Sequence, residues 1–338
     1  MTTQKLIMKK FLNDPENIAA ELLEGYTLAY ADKVSLMSEK IVVRTHPKSK
    51  DKVALVTLGG AGHEPALSGF VGEGMLDASV VGDIFAAPGA PKLLEALKTF
   101  NREAGILLVV LNHAGDVMSA NMAMELAKRE GLNVRMLLTH EDISAGLDTP
   151  DEDRRGLAGC VPLFKVAGAA AEAGKSLDEV LEIAERFNKQ MATLAVAMTG
   201  ATHPQNGQAI SELPDDEMEI GMGQHGEAGG GRTKILSADE TAQRMIEPLI
   251  SAVDAKAGDK TMLIINGVGA TTLMEMNLIF RKAYRVLEAQ GIEVISGLVD
   301  EILTVQEMAG FQMILCKLDA DHVPLLKAPC DTPYWTVR

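Results

Sequence analysis

The chain has 338 residues, 47% of them apolar and only 4% aromatic, enough for one large or two ordinary α/β domains. Its net charge of −15, from 47 acidic against 32 basic side chains, repels phosphate backbones and anionic headgroups, so no nucleic acid and no membrane partner is expected. The longest strand-like apolar run, Ile106 to Leu111, is far too short to span a bilayer, the segment with Lys5, Lys9, Lys10 and Asp14-Pro15 lacks the marks of a signal peptide, and the scattered Cys160, Cys316 and Cys330 fit no metal spacing, all of which fits a reducing cytoplasm.

In chain order, Asp14-Pro15 predicts a helix start, because Asp caps free N–H groups and Pro suits the first helical position. Ile18, Leu22 and Tyr26 continue it at four-residue spacing. Val53 to Leu58 reads as a buried strand leading into Gly59-Gly60-Ala61-Gly62-His63-Glu64-Pro65, with His63 and Glu64 opening the next helix. Ile106 to Leu111 is a second strand, followed by Asn112-His113-Ala114-Gly115-Asp116 and a helix from about Val117 to Glu130, stopped by Gly131. Val134 to Leu138 is a third strand, and the acidic stretch Asp142 to Arg155 is a surface loop. Two helices follow, about Gly159–Ala173 and Leu177–Gln190, the second with a Ser176/Glu179 capping box. Beyond them come strands at Thr193–Met198 and Thr261–Ile265, separated by an irregular stretch from Thr199 to Met218 and the glycine-rich Gly221 to Gly231. This alternation predicts two α/β domains. The first, residues 1–190, is built on a mainly parallel sheet with helices on both faces, and the second, residues 191–338, on a smaller mixed sheet.

Parallel sheets bind ligands where the carboxyl ends of their strands converge. Two polar motifs sit at such ends, one with Gly60, Gly62 and His63, the other with Asp116 near a helix N-terminus, where the dipole favours a carboxylate. A third candidate is His225, set among glycines that offer no packing for an imidazole to complete. Asp116 also reads as a simple helix cap and His63 as a packed helix-start residue. No nucleotide fingerprint is present, because Gly60-x-Gly62 runs into His-Glu-Pro and no Gly-Lys-Ser/Thr occurs.

Taken together, Gly-Gly-Ala-Gly-His-Glu-Pro (59–65), Gly-Met-Leu-Asp-Ala-Ser-Val-Val-Gly-Asp-Ile-Phe-Ala-Ala-Pro (74–88), Asn-x-x-Gly-Asp (112–116), Arg154 to Gly159, Glu-Ile-Gly-Met-Gly-Gln-His-Gly-Glu (219–227) and Asn266 to Thr271 resemble the substrate-binding domain of the dihydroxyacetone kinase family, over nearly the whole chain. The resemblance implies a homodimeric ketose-binding subunit in which an imidazole, here His225, adds to the substrate ketone to give a hemiaminal. It also implies that His63 and Asp116 orient and deprotonate the terminal hydroxyl, and that Gly60, Ala61, Gly62 and His63 line the substrate site. No cofactor is expected on this chain. Mg²⁺ and ADP or ATP belong to a nucleotide-binding kinase subunit, the implied partner.

The chemistry of these roles is coherent. A small polyol offers little apolar area, so covalent capture selects for a carbonyl and against glycerol, and a neutral imidazole, with a reference pKa of about 6.5, is a usable nucleophile. The second motif departs from the family's usual Lys-Asn-Tyr-Thr-Gly-Asp: Leu111 replaces the cation, and His113 and Ala114 replace two polar side chains. Ala61 stands where serine is common. A four-carbon ketose, erythrulose, is therefore a competing substrate. A ketose sensor acting with a transcription regulator, and a generic α/β ligand- or lipid-binding protein, are the alternative classes.

Overall fold

The structure is a computed structural model that describes residues 10–227 and 229–338; Lys5 and Lys9 lie outside the described residues. Asp14 accepts the Glu16 N–H at 3.0 Å and caps a short 3-10 turn, Pro15–Asn17, which leads into helix α1 (Ile18–Ala29). A hairpin of β1 (Val34–Ser38) and β2 (Ile41–Arg44) follows, then β3 (Ala54–Ala61), β4 (Ala78–Ile84), α2 (Ala90–Thr99), β5 (Ile106–Leu111), α3 (Ala114–Arg129) and β6 (Val134–Thr139). These strands form a six-stranded sheet in the order β1-β2-β4-β3-β5-β6. The last four run parallel to one another, and the hairpin joins antiparallel to them. The hairpin, β4 and α2 were not among the elements expected from the sequence.

β5 is buried along its whole length. Ile106, Leu108 and Val110 face α2 and α3, while Leu107, Val109 and Leu111 face the opposite layer. Burial on both faces is what a continuous apolar strand signals. The opposite layer contains α4 (Cys160–Glu172) and α5 (Leu177–Lys189), whose Ser176/Glu179 capping box is formed.

The second half adds β7 (Met191–Ala197), β8 (Glu217–Ile220), β9 (Gly231–Lys234), α6 (Ala238–Ala252), β10 (Lys260–Gly267), α7 (Leu273–Ala289), β11 (Glu293–Asp300), β12 (Gly310–Leu318) and α8 (His322–Lys327). Their sheet, ordered β11-β10-β12-β7-β8-β9, is mixed as expected, with only β10 and β11 parallel. It is not smaller than the first, because β8 and β9 bring it to the same six strands. Met245, Ile246, Met276 and Ile279 of α6 and α7 cover one face. From the other face Met262, Ile264, Ile314 and Cys316 enter the cluster that holds α4.

Helix α4 thus lies between two sheets, and all its residues but Glu172 are buried. Truncating Phe164 to Ala there should cost about 3–5 kcal/mol. Among the described residues, no helix is long and apolar enough to cross a membrane.

Two local expectations need correction. His63 does not begin a helix: residues 63–67 form turns, and the next helical turn is only Ser68–Phe70. Pro65 has no N–H to donate, and the Glu64 carboxylate takes the N–H of Gly62, so the local hydrogen bonding favours a turn. The Asp142–Arg155 stretch is a loop, but its ends are not surface. Asp142 is 2% exposed, and its carboxylate meets Arg155 at 2.7 Å.

Candidate active site

β3 and β5 are neighbouring parallel strands, so the segments leaving their carboxyl ends emerge side by side. From β3 the chain turns at Gly62, whose φ of +101° suits glycine and whose missing Cβ leaves room for the Phe85 ring. His63 is then fastened to a distant loop. Its Nδ1 donates to the Thr304 carbonyl at 2.8 Å, its own carbonyl accepts the Thr304 N–H at 3.1 Å, and the Thr304 hydroxyl donates to the Glu64 carbonyl at 2.7 Å. The imidazole is buried. Burial first, and the charge of His225 second, push its pKa down to about 3.

From β5 the chain enters α3, which carries Asp116 in its first turn. The dipole argument favoured an ionised carboxylate there, but burial outweighs it and raises the carboxyl to about 7, against a smaller pull from His225. Among the described residues Asp116 Oδ1 has no hydrogen-bond partner, and the side chain faces the cavity.

His225 arrives on the loop between β8 and β9. Glu227 holds it twice: Oε2 accepts the His225 backbone N–H at 2.9 Å, and Oε1 lies 3.2 Å from Nδ1. Burial raises the Glu227 carboxyl, but the hydrogen bonds from His225 more than offset this and set it at about 2. Glu227 is therefore an acceptor, and His225 Nδ1 carries the proton. Arg155 braces the loop from below, donating to the Gly221 carbonyl at 2.7 Å and approaching Glu227 Oε2 at 4.0 Å. Gly223 is required here, since a Cβ would fall 2.1 Å from Glu227 Oε2 and 2.3 Å from the Arg155 guanidinium.

The two tautomers have a joint consequence. With Nδ1 of each ring turned to an oxygen acceptor, His63 Nε2 and His225 Nε2 face each other across 3.2 Å. Such an arrangement suits an electrophile or a hydroxyl donor placed against it. The surrounding wall is mostly apolar, with Leu58, Leu67, Phe85, Leu111 and Leu303, which strengthens any polar contact made inside. Phe85 has a positive φ of 56°, uncommon for an aromatic residue, and its ring centroid lies 4.9 Å from that of His63 and 5.9 Å from that of His225.

Of the residues expected from the sequence, Gly60, His63, Asp116 and His225 line one cavity. Ala61 and Gly62 do not. Ala61 packs into the core and Gly62 shapes the turn. Sequence reasoning did not single out Glu227, Arg155, Phe85, Gln224 or Thr304. Glu227 was legible as a carboxylate two residues from His225, whereas Thr304 carries no local signal. Next to His225, His113 donates from Nε2 to the Gly156 carbonyl at 2.8 Å, and burial pushes its pKa down to about 4. His113, His225 and Glu227 are also the side chains that could jointly hold a metal ion. A larger cavity of about 450 Å³ opens on the other side of Gly59-Gly60, but its wall, including Leu22, Tyr26, Tyr30 and Tyr334, contains no imidazole.

The model of the Dak1 domain matches residues 24–334 of this chain. The chain is 40% identical over 329 residues to the PTS-dependent dihydroxyacetone kinase 1, dihydroxyacetone-binding subunit DhaK, of Listeria innocua, covering 97% of this chain and 100% of that protein. It is 34% identical over 330 residues to the L-erythrulose kinase of Pectobacterium atrosepticum, covering 96% of this chain and 56% of that one. Among solved structures, the dihydroxyacetone kinase operon co-activator Dha-DhaQ superposes with a TM-score of 0.89 at 31% identity, over 95% of this chain and 99% of that one.

Proposed function

Since this chain belongs to the Dak1 domain family, we propose that it is the ketose-binding subunit of a dihydroxyacetone-type kinase, working with a partner that supplies the phosphoryl group. The observation that carries this reading is the convergence of two imidazole Nε2 atoms, 3.2 Å apart, with the Asp116 carboxyl in one cavity. The Listeria relative spans the same length as a binding subunit, which supports an activity shared between chains.

His225 Nε2 adds to the ketone carbon. The C–N bond forms, the carbonyl π pair moves to oxygen, that oxygen takes a proton from water, and the hydroxide left behind takes the Nδ1 proton of the ring, so that a neutral hemiaminal results. Positive charge developing on the ring is set against the Glu227 carboxylate 3.2 Å from Nδ1. The tethered substrate then presents its terminal hydroxyl with much of the entropic barrier to transfer already met.

The two groups facing that hydroxyl divide the remaining work by basicity. His63, at about 3, accepts a hydrogen bond and orients the hydroxyl, while Asp116, at about 7, takes its proton as the oxygen attacks phosphorus. The new P–O bond forms as the bond to the donor breaks. Mg²⁺ and nucleotide belong on the partner. An intact His63–Asp116 pair favours the kinase reading over a sensor that only binds ketose.

Reconstitution with a phosphoryl-donor subunit, assayed across three-, four- and five-carbon ketoses, tests this reading and distinguishes dihydroxyacetone from erythrulose. Phosphorylated product is expected only when both chains are present. Turnover by this chain alone with Mg-ATP contradicts the division of labour.

A further inference from the structure

We propose that the corner of the site beside His225 is also a binding site for a divalent cation of the zinc type, held by His113, His225 and Glu227. One nitrogen or oxygen from each of these side chains lies within 4.8 Å of the others. His225 Nδ1 and Glu227 Oε1 are 3.2 Å apart. At metal–ligand distances of about 2.1 Å, that separation subtends roughly 100° at the ion, close to a tetrahedral angle.

The remaining atoms are arranged to support this. Glu227 Oε2 is occupied by the His225 backbone N–H and faces Arg155, which leaves Oε1 for the ion. His113 Nε2 lies 2.8 Å from the Gly156 carbonyl and 2.9 Å from the Gln224 amide nitrogen, the outer contacts typical of a metal-bound imidazole, so His113 would ligate through Nδ1. His225 and Glu227, two of the three ligands, sit two residues apart on one loop, so they would move toward His113 together.

Binding at His225 Nδ1 has a consequence on the other side of the ring. The displaced proton moves to Nε2, where the lone pair of His63 Nε2 waits at 3.2 Å. His225 Nε2 then donates to His63 Nε2, and the ion gains the second-shell partner that bound imidazoles usually have. His225 Nε2 then has no lone pair to give, so the cation and covalent ketose capture exclude each other. This exclusion rests on the proposed capture at His225; cation binding itself does not.

The test is calorimetric titration of the purified chain with ZnCl₂, without ketose. One ion per chain is expected, with affinity falling by at least roughly tenfold in His113→Phe and in Glu227→Gln. His113→Asn, with circular dichroism and a thermal melt on each variant, shows whether a loss reflects the missing ligand or a damaged fold. Absence of saturable binding, or equal affinity in the folded His113 variants, overturns the proposal. Ketose binding is then measured at saturating ZnCl₂. Suppression supports mutual exclusion. Unchanged ketose binding leaves the cation site standing and overturns the exclusion, together with capture through His225 Nε2.

Discussion

Glu227 grips His225 at both its backbone amide and its ring, and so determines which imidazole nitrogen faces the cavity. A carboxylate can only accept, so Nδ1 keeps its proton and Nε2 is the nitrogen turned to the cavity. Glutamine at this position either accepts or donates and no longer selects a tautomer. Hydrogen bonds to charged groups are worth about 1.5–3 kcal/mol. Glu227→Gln is therefore expected to weaken ketose binding about 10- to 100-fold by calorimetry while the fold is kept. Unaltered affinity would mean that Glu227 merely braces the loop.

Asp116 gives the reaction its pH dependence. Burial holds its carboxyl at about 7, so it is protonated, and useless as a base, on the acid side of that value. In the reconstituted kinase, kcat/KM is expected to rise with pH through about 7. Asp116→Asn should keep ketose binding, lose about 10²–10⁴ in turnover, and lose this limb of the profile. His63, at about 3, contributes no limb in the working range. An Asn variant as active as the parent would show that Asp116 is not the base.

A second buried carboxyl affects stability rather than turnover. Glu141 accepts the N–H groups of Leu157 and Gly159 through Oε1, while its Oε2 has no partner among the described residues. Burial, more than the neighbouring Asp142, lifts it from the ordinary 4.5 to about 7. The folded state therefore holds this proton more tightly than the unfolded state does. The stabilisation is complete below about pH 4.5 and is lost as pH rises to about 7. Glu141→Gln mimics the protonated form, so its unfolding free energy should fall less between pH 5 and pH 8 in urea titrations. An unchanged pH slope contradicts this assignment.

The sequence was most legible where one local cause dominates. Ile106–Leu111 was bounded correctly because six consecutive apolar residues are buried on both faces. The Ser176/Glu179 box marked the start of α5 by its own hydrogen bonds. The half-exposed hairpin strand Val34–Ser38 gave no comparable pattern. His63, Asp116 and His225 were recognisable by residue type and by their place at strand ends or among glycines. Their convergence followed only from the family resemblance and not from the residues themselves, because it depends on contacts between distant segments, such as His63 with Thr304 across 241 positions. The raised pKa of Asp116 was likewise hidden. The sequence displays a helix N-terminus, whereas the burial that raises Asp116 comes from the folded surroundings of the cavity.

The central claim is that His225 captures a ketose covalently through Nε2. A crystal soaked with dihydroxyacetone measures this directly. Continuous density from His225 Nε2 to a tetrahedral former carbonyl carbon is expected, with the terminal hydroxyl against His63 and Asp116. His225→Ala should abolish the adduct, and glycerol should bind poorly to the parent chain. A bound ketose with its planar carbonyl intact, several ångströms from His225, would contradict the account.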